Sequence, residues 1–499
     1  MPRKGILVNR LYERLTQEQV ELIHQASTQI LIDPGLISFN REAVDIFHSH
    51  GAMVKSIAGD HQSWQVKIPE QLVLEALDTA PKTVKLGARN PDNTLIMHGD
   101  EPRVYLITGS ETNIWLDVRY SKGKPTLARQ DGSIAKLRAA AHLCDNLDNL
   151  DFFIRCVNIQ DPEVTPGNKD VNKFLASLNN ITKHVQAGLT STGRLDDVMR
   201  LGEIVAGGKD AFADNPVLSF ICCAVKSPLQ IVDDTAETFL AISKRRVPVV
   251  ISSCPMGGAT GPFDEFGMVA LINAELLAGV TLNQLAAPGA PILYGAVPVR
   301  TRLDNLNDMY GAPEFNHYNI DCAQMARFYG LPCYSTAGVG DASKPGIQAT
   351  VEKMITLTSV PRGGAQYIHY AFGLLERTNV FCPEQAVMDD AHIGIVKHML
   401  AEPKIDETSS RRTLETLSEV MASSHKTFIY NLPLPSREPV YVRYPLEDDD
   451  GDALFAAHRR CRDIMDTPRK NLPADVQDEI RAKIPGVLAA ALERGKDPT

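Results

Sequence analysis

The sequence predicts an α/β chain: a (β/α)8 barrel carrying an N-terminal α+β extension and a helical C-terminal tail. Three observations lead there. Beyond Thr108-Gly109-Ser110, short apolar or β-branched runs alternate with amphipathic stretches, the pattern of a parallel sheet covered by helices. The runs recur at regular spacing, which favours a barrel over an open sheet. No G-x-G-x-x-G opens a helix after a strand, which weighs against a dinucleotide-binding sheet.

Taken in order, the extension occupies residues 1–109. Thr16-x-x-Gln19 is a capping-box pattern, followed by Val20, Ile23, Ala26 and Ile30 at helical spacing. The turn cluster Asp33-Pro34-Gly35 stops that helix. Ala52–Ile57 and Trp64–Ile68 read as two strands about a turn, and Pro69-Glu70 opens a helix through Leu77. Residues 110–400 form the barrel. Its expected strands are Phe153–Asn158, Val185–Leu189, Val217–Cys222, Val247–Ser252, Ile292–Val297, Cys333–Thr336 and Tyr367–Tyr370. Between them lie helices at Lys169–Leu178, Asp196–Val205, Leu229–Ser243, Asp264–Thr281, Pro313–Tyr329 and Gly346–Leu357. Val104–Thr108, or else a segment after Lys426, supplies the eighth strand. Residues 401–499 read as a mostly helical, charged segment packed on the barrel, with Glu447–Asp450 a solvated loop.

Composition narrows the function. The chain has 499 residues, 44% of them hydrophobic, and a formal charge of −10 that argues against a general nucleic-acid binder. Its nine cysteines are an odd number and contain no CxxC, so they read as buried thiols, with no thiolate metal site expected. The N-terminus has no long apolar core, and no run approaches ~20 apolar residues, so a cytoplasmic protein without a membrane span is expected.

In a barrel, chemistry sits on the loops at the carboxyl ends of the strands. The richest such loop follows Val247–Ser252: Cys254-Pro255-Met256-Gly257-Gly258-Ala259-Thr260-Gly261-Pro262. Its glycines Gly257, Gly258 and Gly261 allow close backbone approach to a ligand, although a tight turn would use them as well. Arg300 and Arg302 follow the next strand and have the fork geometry for a carboxylate, against the commoner surface role. Lys344 lies in the loop after the sixth run, and Tyr367, His369 and Phe372 lie at or beyond the last strand end. Glu275 sits inside an apolar helix; if buried it must be paired, by structure or by function.

These segments in this order, SCPMGGATGP, NAELLAG, Gln284 with PGAPILYG, YGLP, GDASKPGIQATVEK, PEQ and the early GARNPD, resemble the corrinoid-dependent methylamine methyltransferases of the trimethylamine methyltransferase family. The resemblance spans roughly residues 15–400. It implies transfer of a methyl group from an amine to Co(I) cobalamin carried by a small corrinoid-binding partner protein, with no tightly bound cofactor of the chain's own, and a homo-oligomer. The family's founding members place pyrrolysine in the barrel mouth; every residue of this chain is standard. That departure points to the non-pyrrolysine branch and a quaternary amine, which leaves as a neutral tertiary amine without further activation. Glycine betaine is the best single choice; proline betaine, carnitine and γ-butyrobetaine are alternatives. An O-demethylating or pterin-type corrinoid methyltransferase, or a betaine-binding module without turnover, stand as competing readings.

A betaine asks for aromatic faces around its ammonium, each contributing about 0.5–2 kcal/mol, and for cationic donors on its carboxylate. The expected cage is drawn from Phe220, Tyr294, Tyr334, Tyr367 and Phe372, and the clamp from Arg300, Arg302, Lys344 and His369. Glu275, Lys344 and His369 are the catalytic candidates, and Met256, Gly257, Gly258 and Gly261 the rim facing the cobalamin.

Overall fold

The computed structural model describes residues 4–59, 62–403, 405–427 and 452–493. It is a mixed α/β structure about a curled nine-stranded sheet. Eight strands run parallel: Arg103–Leu106, Phe153–Ile154, Val185–Ala187, Leu218–Cys222, Val249–Ser253, Ile292–Ala296, Cys333–Thr336 and Tyr367–His369. The last of these pairs with the first through Tyr367↔Tyr105 and Ile368↔Leu106. Just beyond the first, a parallel bridge joins Ile107 to Phe152, and Asp151 N–H donates to Leu106 O at 2.9 Å. All seven strands expected inside 110–400 are present, most of them shorter than the apolar runs that mark them. Val104–Thr108 supplies the eighth strand; the alternative after Lys426 falls almost wholly outside the described residues, as does the acidic run Glu447–Asp450. The ninth strand, Ile6–Leu7, lies antiparallel on the outside of Arg103–Leu106.

The strand Arg103–Leu106 precedes the expected boundary at residue 109, so the last part of the extension is built into the central sheet. Traffic also runs the other way. Residues Val225–Lys226 and Gln230–Ile231, the latter within the helix expected at Leu229–Ser243, form a hairpin that adds to the N-terminal sheet beside Leu36–Ser38. The helix itself starts at Asp233 and runs to Lys244. Leu229, left-handed at φ 54°, turns the chain between the two short strands. The other strands of that sheet, Met53–Ile57 and Ser63–Lys67, match the expected pair, and Thr16 and Gln19 form the expected reciprocal cap on Gln17–Ile32.

The helix Glu265–Ala286 explains its own composition. Asp264 caps it by accepting from Gly267 N–H, and every residue from Met268 to Gln284 is buried. Strands cover one side: a Cβ on Gly279 would stand 2.5 Å from the Ile251 side chain. The N-terminal helices cover the other, where Ser27 donates to Ala270 O at 3.0 Å and Asn273 donates to Ser27 at 2.9 Å. A helix enclosed on all sides carries no polar stripe. By length and composition alone it could cross a membrane, yet 83% of its apolar window is buried inside the protein.

The C-terminal helices Ala453–Met465 and Ala474–Lys483 fold back on the helices outside the sheet. His142 meets Ile464 O at 3.0 Å, and Asn179 accepts from Leu472 N–H at 3.0 Å. Arg138, 1% exposed, pairs with Glu493 at 2.8 Å.

Candidate active site

Side-chain parity decides what reaches the concave face of the sheet. Gly295 and Tyr334 are ladder partners, and a Cβ on Gly295 would lie 2.0 Å from the Tyr334 ring. Ser252, the partner of Gly295 on the other side, touches the Tyr334 hydroxyl. The Tyr334 and Tyr367 rings lie 5.2 Å apart, and the Tyr367 hydroxyl donates to Gln186 Oε1 at 2.6 Å. Gln186, Ser252, Gly295, Tyr334 and Tyr367 therefore share that face.

At the carboxyl ends of the strands the lining becomes aromatic and sulfur-rich. The His369 ring lies 5.8 Å from Tyr334 and 4.0 Å from Tyr370. Tyr370 is left-handed at φ 77°, a strained conformation for a bulky residue. It turns the ring towards Tyr310, 6.2 Å away. Cys223 and Cys254 follow two neighbouring strands, with their Sγ atoms 3.6 Å apart. Cys254 retains accessible surface, whereas burial lifts the Tyr310, Tyr334 and Tyr370 hydroxyls above their ordinary range and keeps them neutral. A 270 Å³ cavity adjoins this cluster, lined by Leu306, Asp308, Glu376, Arg377 and Thr378 among others. Asp308 and Thr378 link it to Tyr310, since both lie within electrostatic reach of the Tyr310 hydroxyl. Glu376 and Arg377 are again left-handed, at φ 47° and 64°, and Arg377 N–H donates to Gly340 O at 2.9 Å. To one side, burial opposes but the Arg155, Lys173 and Lys169 charges outweigh it, drawing Glu111 down to about 2.

His369 is the best placed of the expected residues. Ser110 N–H donates to its Nε2 at 3.3 Å, which puts the proton of the neutral ring on Nδ1, where no protein acceptor stands. Gly109 makes room: a Cβ there would lie 2.1 Å from the imidazole. Burial pushes His369 down to about 3, and pushes His184, held between Gly87 O and Ser219 at 2.6 and 2.7 Å, down to about 4. Both folded values lie below the ordinary 6.5, so each ring stabilises the fold fully above pH 6.5 and progressively less as the pH falls towards 4 and 3. Linkage gives about 2 kcal/mol lost per histidine between pH 7 and pH 5. Urea midpoints at those two pH values should show the loss, with His369→Gln removing its own share of about 2 kcal/mol; an unchanged pH slope in that variant would contradict the assignment.

Tyr334 and Tyr367 share the concave face with His369, and the remaining expected residues are placed differently. Phe220 and Tyr294 lie on the convex face, against helices: Phe220 meets Phe174 at 5.6 Å, and the Tyr294 hydroxyl donates to Asn273 Oδ1 at 2.8 Å. Phe372 is fully buried just past the last strand. Arg300 is already engaged, donating to Phe263 O at 2.6 Å with its guanidinium 3.4 Å from the Phe263 ring centre. Arg302 pairs with Asp304 at 2.7 Å on the exposed surface, and Lys344 is exposed. Glu275 is completely buried behind the strand Val249–Ser253 and accepts three hydrogen bonds, from Ser253 at 2.5 Å, Ser227 at 2.7 Å and Leu229 N–H at 2.9 Å. Those bonds oppose the rise in its pKa that burial causes, and they clamp the inserted hairpin to the end of the strand. Met256, Gly257, Gly258 and Gly261 form a tight loop in which Met256 O accepts from Gly261 N–H at 3.0 Å. Gly258 has φ 96°, and a Cβ there would stand 3.1 Å from Phe263 and 3.4 Å from Leu303.

Tyr310, Tyr370 and Arg377 were not singled out in the sequence. Tyr370 falls within the QYIHYAF segment, whereas Tyr310 and Arg377 stand on loops without periodicity. Because Gly295 faces Tyr334 so closely, Gly295→Ala should overpack the concave face and cost about 1–3 kcal/mol. Thermal denaturation would check this, and a Tm equal to that of the parent would count against the packing described. Among the described residues, no group of three His, Cys, Asp or Glu side chains is placed to hold a metal ion.

Comparison with known proteins fits this architecture to a family. The model of the trimethylamine methyltransferase (MTTB) family matches residues 4–428. The chain is 31% identical to trimethylamine methyltransferase MttB of Desulfitobacterium hafniense (strain DSM 10664 / DCB-2), over 79% of this chain and 76% of that one. It is 26% identical to glycine betaine methyltransferase of Desulfitobacterium hafniense (strain Y51), over 97% and 98%, and 30% identical to trimethylamine methyltransferase MttB of Methanosarcina barkeri, over 94% and 93%. Among solved structures, a phospho-2-dehydro-3-deoxyheptonate aldolase from Thermotoga maritima is 12% identical over 83% of this chain and 98% of that one, with a TM-score of 0.33, too low to carry an argument. The chain belongs to the trimethylamine methyltransferase (MTTB) family and is a methyltransferase.

Proposed function

We propose that the chain is a (β/α)8-barrel enzyme that removes a methyl group from a quaternary amine, with glycine betaine as substrate. The observation that carries this reading is the neutral aromatic cluster Tyr310, Tyr334 and Tyr370 at the strand ends, beside a cavity containing Arg377. A trimethylammonium head has no N–H to donate and is held by aromatic faces. A carboxylate at the other end of the molecule is held by charge-assisted hydrogen bonds. Tyr310, Tyr334 and Tyr370 supply the first, and Arg377 with His369 Nδ1–H the second. The clamp expected at Arg300 and Arg302 therefore moves to Arg377, because the former two guanidiniums already have partners. Similarity to a glycine betaine methyltransferase along nearly the whole of both chains supports the choice of substrate.

The methyl acceptor in this reading is Co(I) cobalamin carried by a corrinoid protein, which supplies the nucleophile. This chain's own residues bind and orient. The carboxylate held at Arg377 fixes which way the ammonium points. The tyrosines stabilise its positive charge, and the amine departs neutral, so no protein acid has to protonate it. Around Gly258 the rim carries Phe263 and Leu303, 57% and 61% exposed, with Leu306, 65% exposed, close by in sequence and on the cavity wall. An apolar rim of this kind suits a covering partner protein.

The test is direct. The purified chain is incubated with Co(I) cobalamin and a panel of amines, and methylcobalamin formation is followed by absorbance. Turnover of glycine betaine, with little of trimethylamine or choline, is expected. Efficient reaction with trimethylamine, or equal reaction with choline, would overturn the reading.

A further inference from the structure

Seven of the nine cysteines are buried; Cys223 is partly accessible and Cys254 exposed. These two are also the ones that meet, Sγ to Sγ at 3.6 Å. They come together because the strands Leu218–Cys222 and Val249–Ser253 are parallel neighbours, with Cys222 opposite Ile251, and each thiol lies just past its strand end. Ser252 Oγ stands 3.6 Å from Cys254 Sγ and also touches the Tyr334 hydroxyl. Both thiols lie within the electrostatic reach of Tyr334 and Tyr370, so they are part of the wall of the mouth.

We propose that Cys223 and Cys254 form a reversible dithiol–disulfide site, and that the disulfide closes the mouth to substrate. A disulfide bond is about 2.05 Å long, so the sulfurs must approach by roughly 1.5 Å. Both keep surface accessible to an external oxidant, which the seven buried cysteines do not. The oxidant class is a small disulfide such as oxidised glutathione. Cys223 as thiolate attacks one sulfur of that disulfide, and the first glutathione thiolate leaves and takes up a proton. Cys254, deprotonated, then attacks the Cys223 sulfur, and the second glutathione leaves. The two cysteines lose two electrons and two protons, and two glutathione thiols are formed. The hydrogen bond shared with Cys254 draws the Cys223 pKa down, which favours Cys223 as the first nucleophile.

The closure rests on the reading of the mouth given under Proposed function. Ser252 contacts both thiols and the Tyr334 hydroxyl, so drawing the two sulfurs together shifts the contact that seats Tyr334. It also places a covalent bridge across two strand ends where the ammonium would enter. A Co(I) acceptor exists only under strongly reducing conditions, so the pair would be open whenever the acceptor is present and closed when it is not.

The experiment uses the full-length reduced protein treated with oxidised glutathione, then acid quench, alkylation and peptide mapping. A single cross-linked pair joining Cys223 to Cys254, two hydrogens lighter than the free peptides and reversed by dithiothreitol, is expected. It should be absent from Cys223→Ser and Cys254→Ser. Glutathione retained on either wild-type cysteine, or both thiols recovered alkylated, would overturn the site. Glycine betaine binding is then measured by calorimetry on both forms. Loss on oxidation and return on reduction support closure, and equal binding by the cross-linked form overturns it. If the reduced protein itself binds no betaine, the substrate reading and the closure built on it fail together, while the peptide map decides the disulfide by itself.

Discussion

Arg377→Ala is expected to lower kcat/KM for glycine betaine by roughly 30–150-fold, about 2–3 kcal/mol, the order of a charge-assisted hydrogen bond. The reasoning is chemical. The carboxylate is the only group of the substrate able to accept strong hydrogen bonds, so it must set the orientation of the transferred methyl. Of the cations near the aromatic cluster, Arg377 is the one on the wall of the adjoining cavity. Arg302, exposed and paired with Asp304 on the surface, provides the control. Arg302→Ala should leave betaine turnover within about twofold, the scale of an exposed ion pair. Tyr310→Phe should change little, because a cation–π contact needs the ring face and not the hydroxyl, whereas Tyr310→Leu should raise KM. Steady-state kinetics on the four proteins would separate these outcomes. Full activity in Arg377→Ala would remove the clamp from this residue.

Most of the central sheet could be read because parallel strands are short apolar runs bounded by turn residues, and helices announce themselves by period and caps. Thr16 with Gln19 and Pro313 at the start of Pro313–Phe328 are of that kind. The site was harder for a reason built into the same architecture. Strands covered on both faces are apolar at every position, so the sequence gives no alternation from which to assign parity. Phe220 and Tyr294 look as much like cage residues as Tyr334, and only the ladder register turns them outward. Arginines suffer from a related ambiguity. Arg300 lies in the right loop, but a neighbouring backbone carbonyl and ring already satisfy it. Arg377 is aimed by a left-handed backbone that no local composition announces. The hairpin at Val225–Ile231 was hidden because its pairing partner is nearly two hundred residues away, in the strand Leu36–Ser38.

The segment GDASKPGIQATVEK ends in Lys353, and this residue carries the second large effect. Lys353 and Asp389 form an ion pair at 3.0 Å with side chains 1% and 0% exposed, on the helices Ile347–Ser359 and Pro383–Leu400. Each partner also holds a loop. Lys353 Nζ donates to Gly338 O, just past the strand Cys333–Thr336, and Asp389 Oδ2 accepts from Gly373 N–H at 2.7 Å, just past Tyr367–His369. Those loops must pass very close, since a Cβ on Gly338 would lie 2.6 Å from Ala371 Cα. The pair therefore fixes the two loops that meet just past Tyr370. Lys353→Met should cost about 3–5 kcal/mol, because it leaves Asp389 buried without its countercharge. Lys353→Met with Asp389→Leu should recover part of that loss, as two packed apolar side chains avoid the uncompensated charge, although Gly338 O and Gly373 N–H then lose their partners. A double-mutant cycle on urea denaturation measures the coupling. Additive single effects would mean that the two side chains act separately. Strong coupling, together with weakened betaine binding in the recovered double variant, would tie this buried charge pair to the geometry of the mouth.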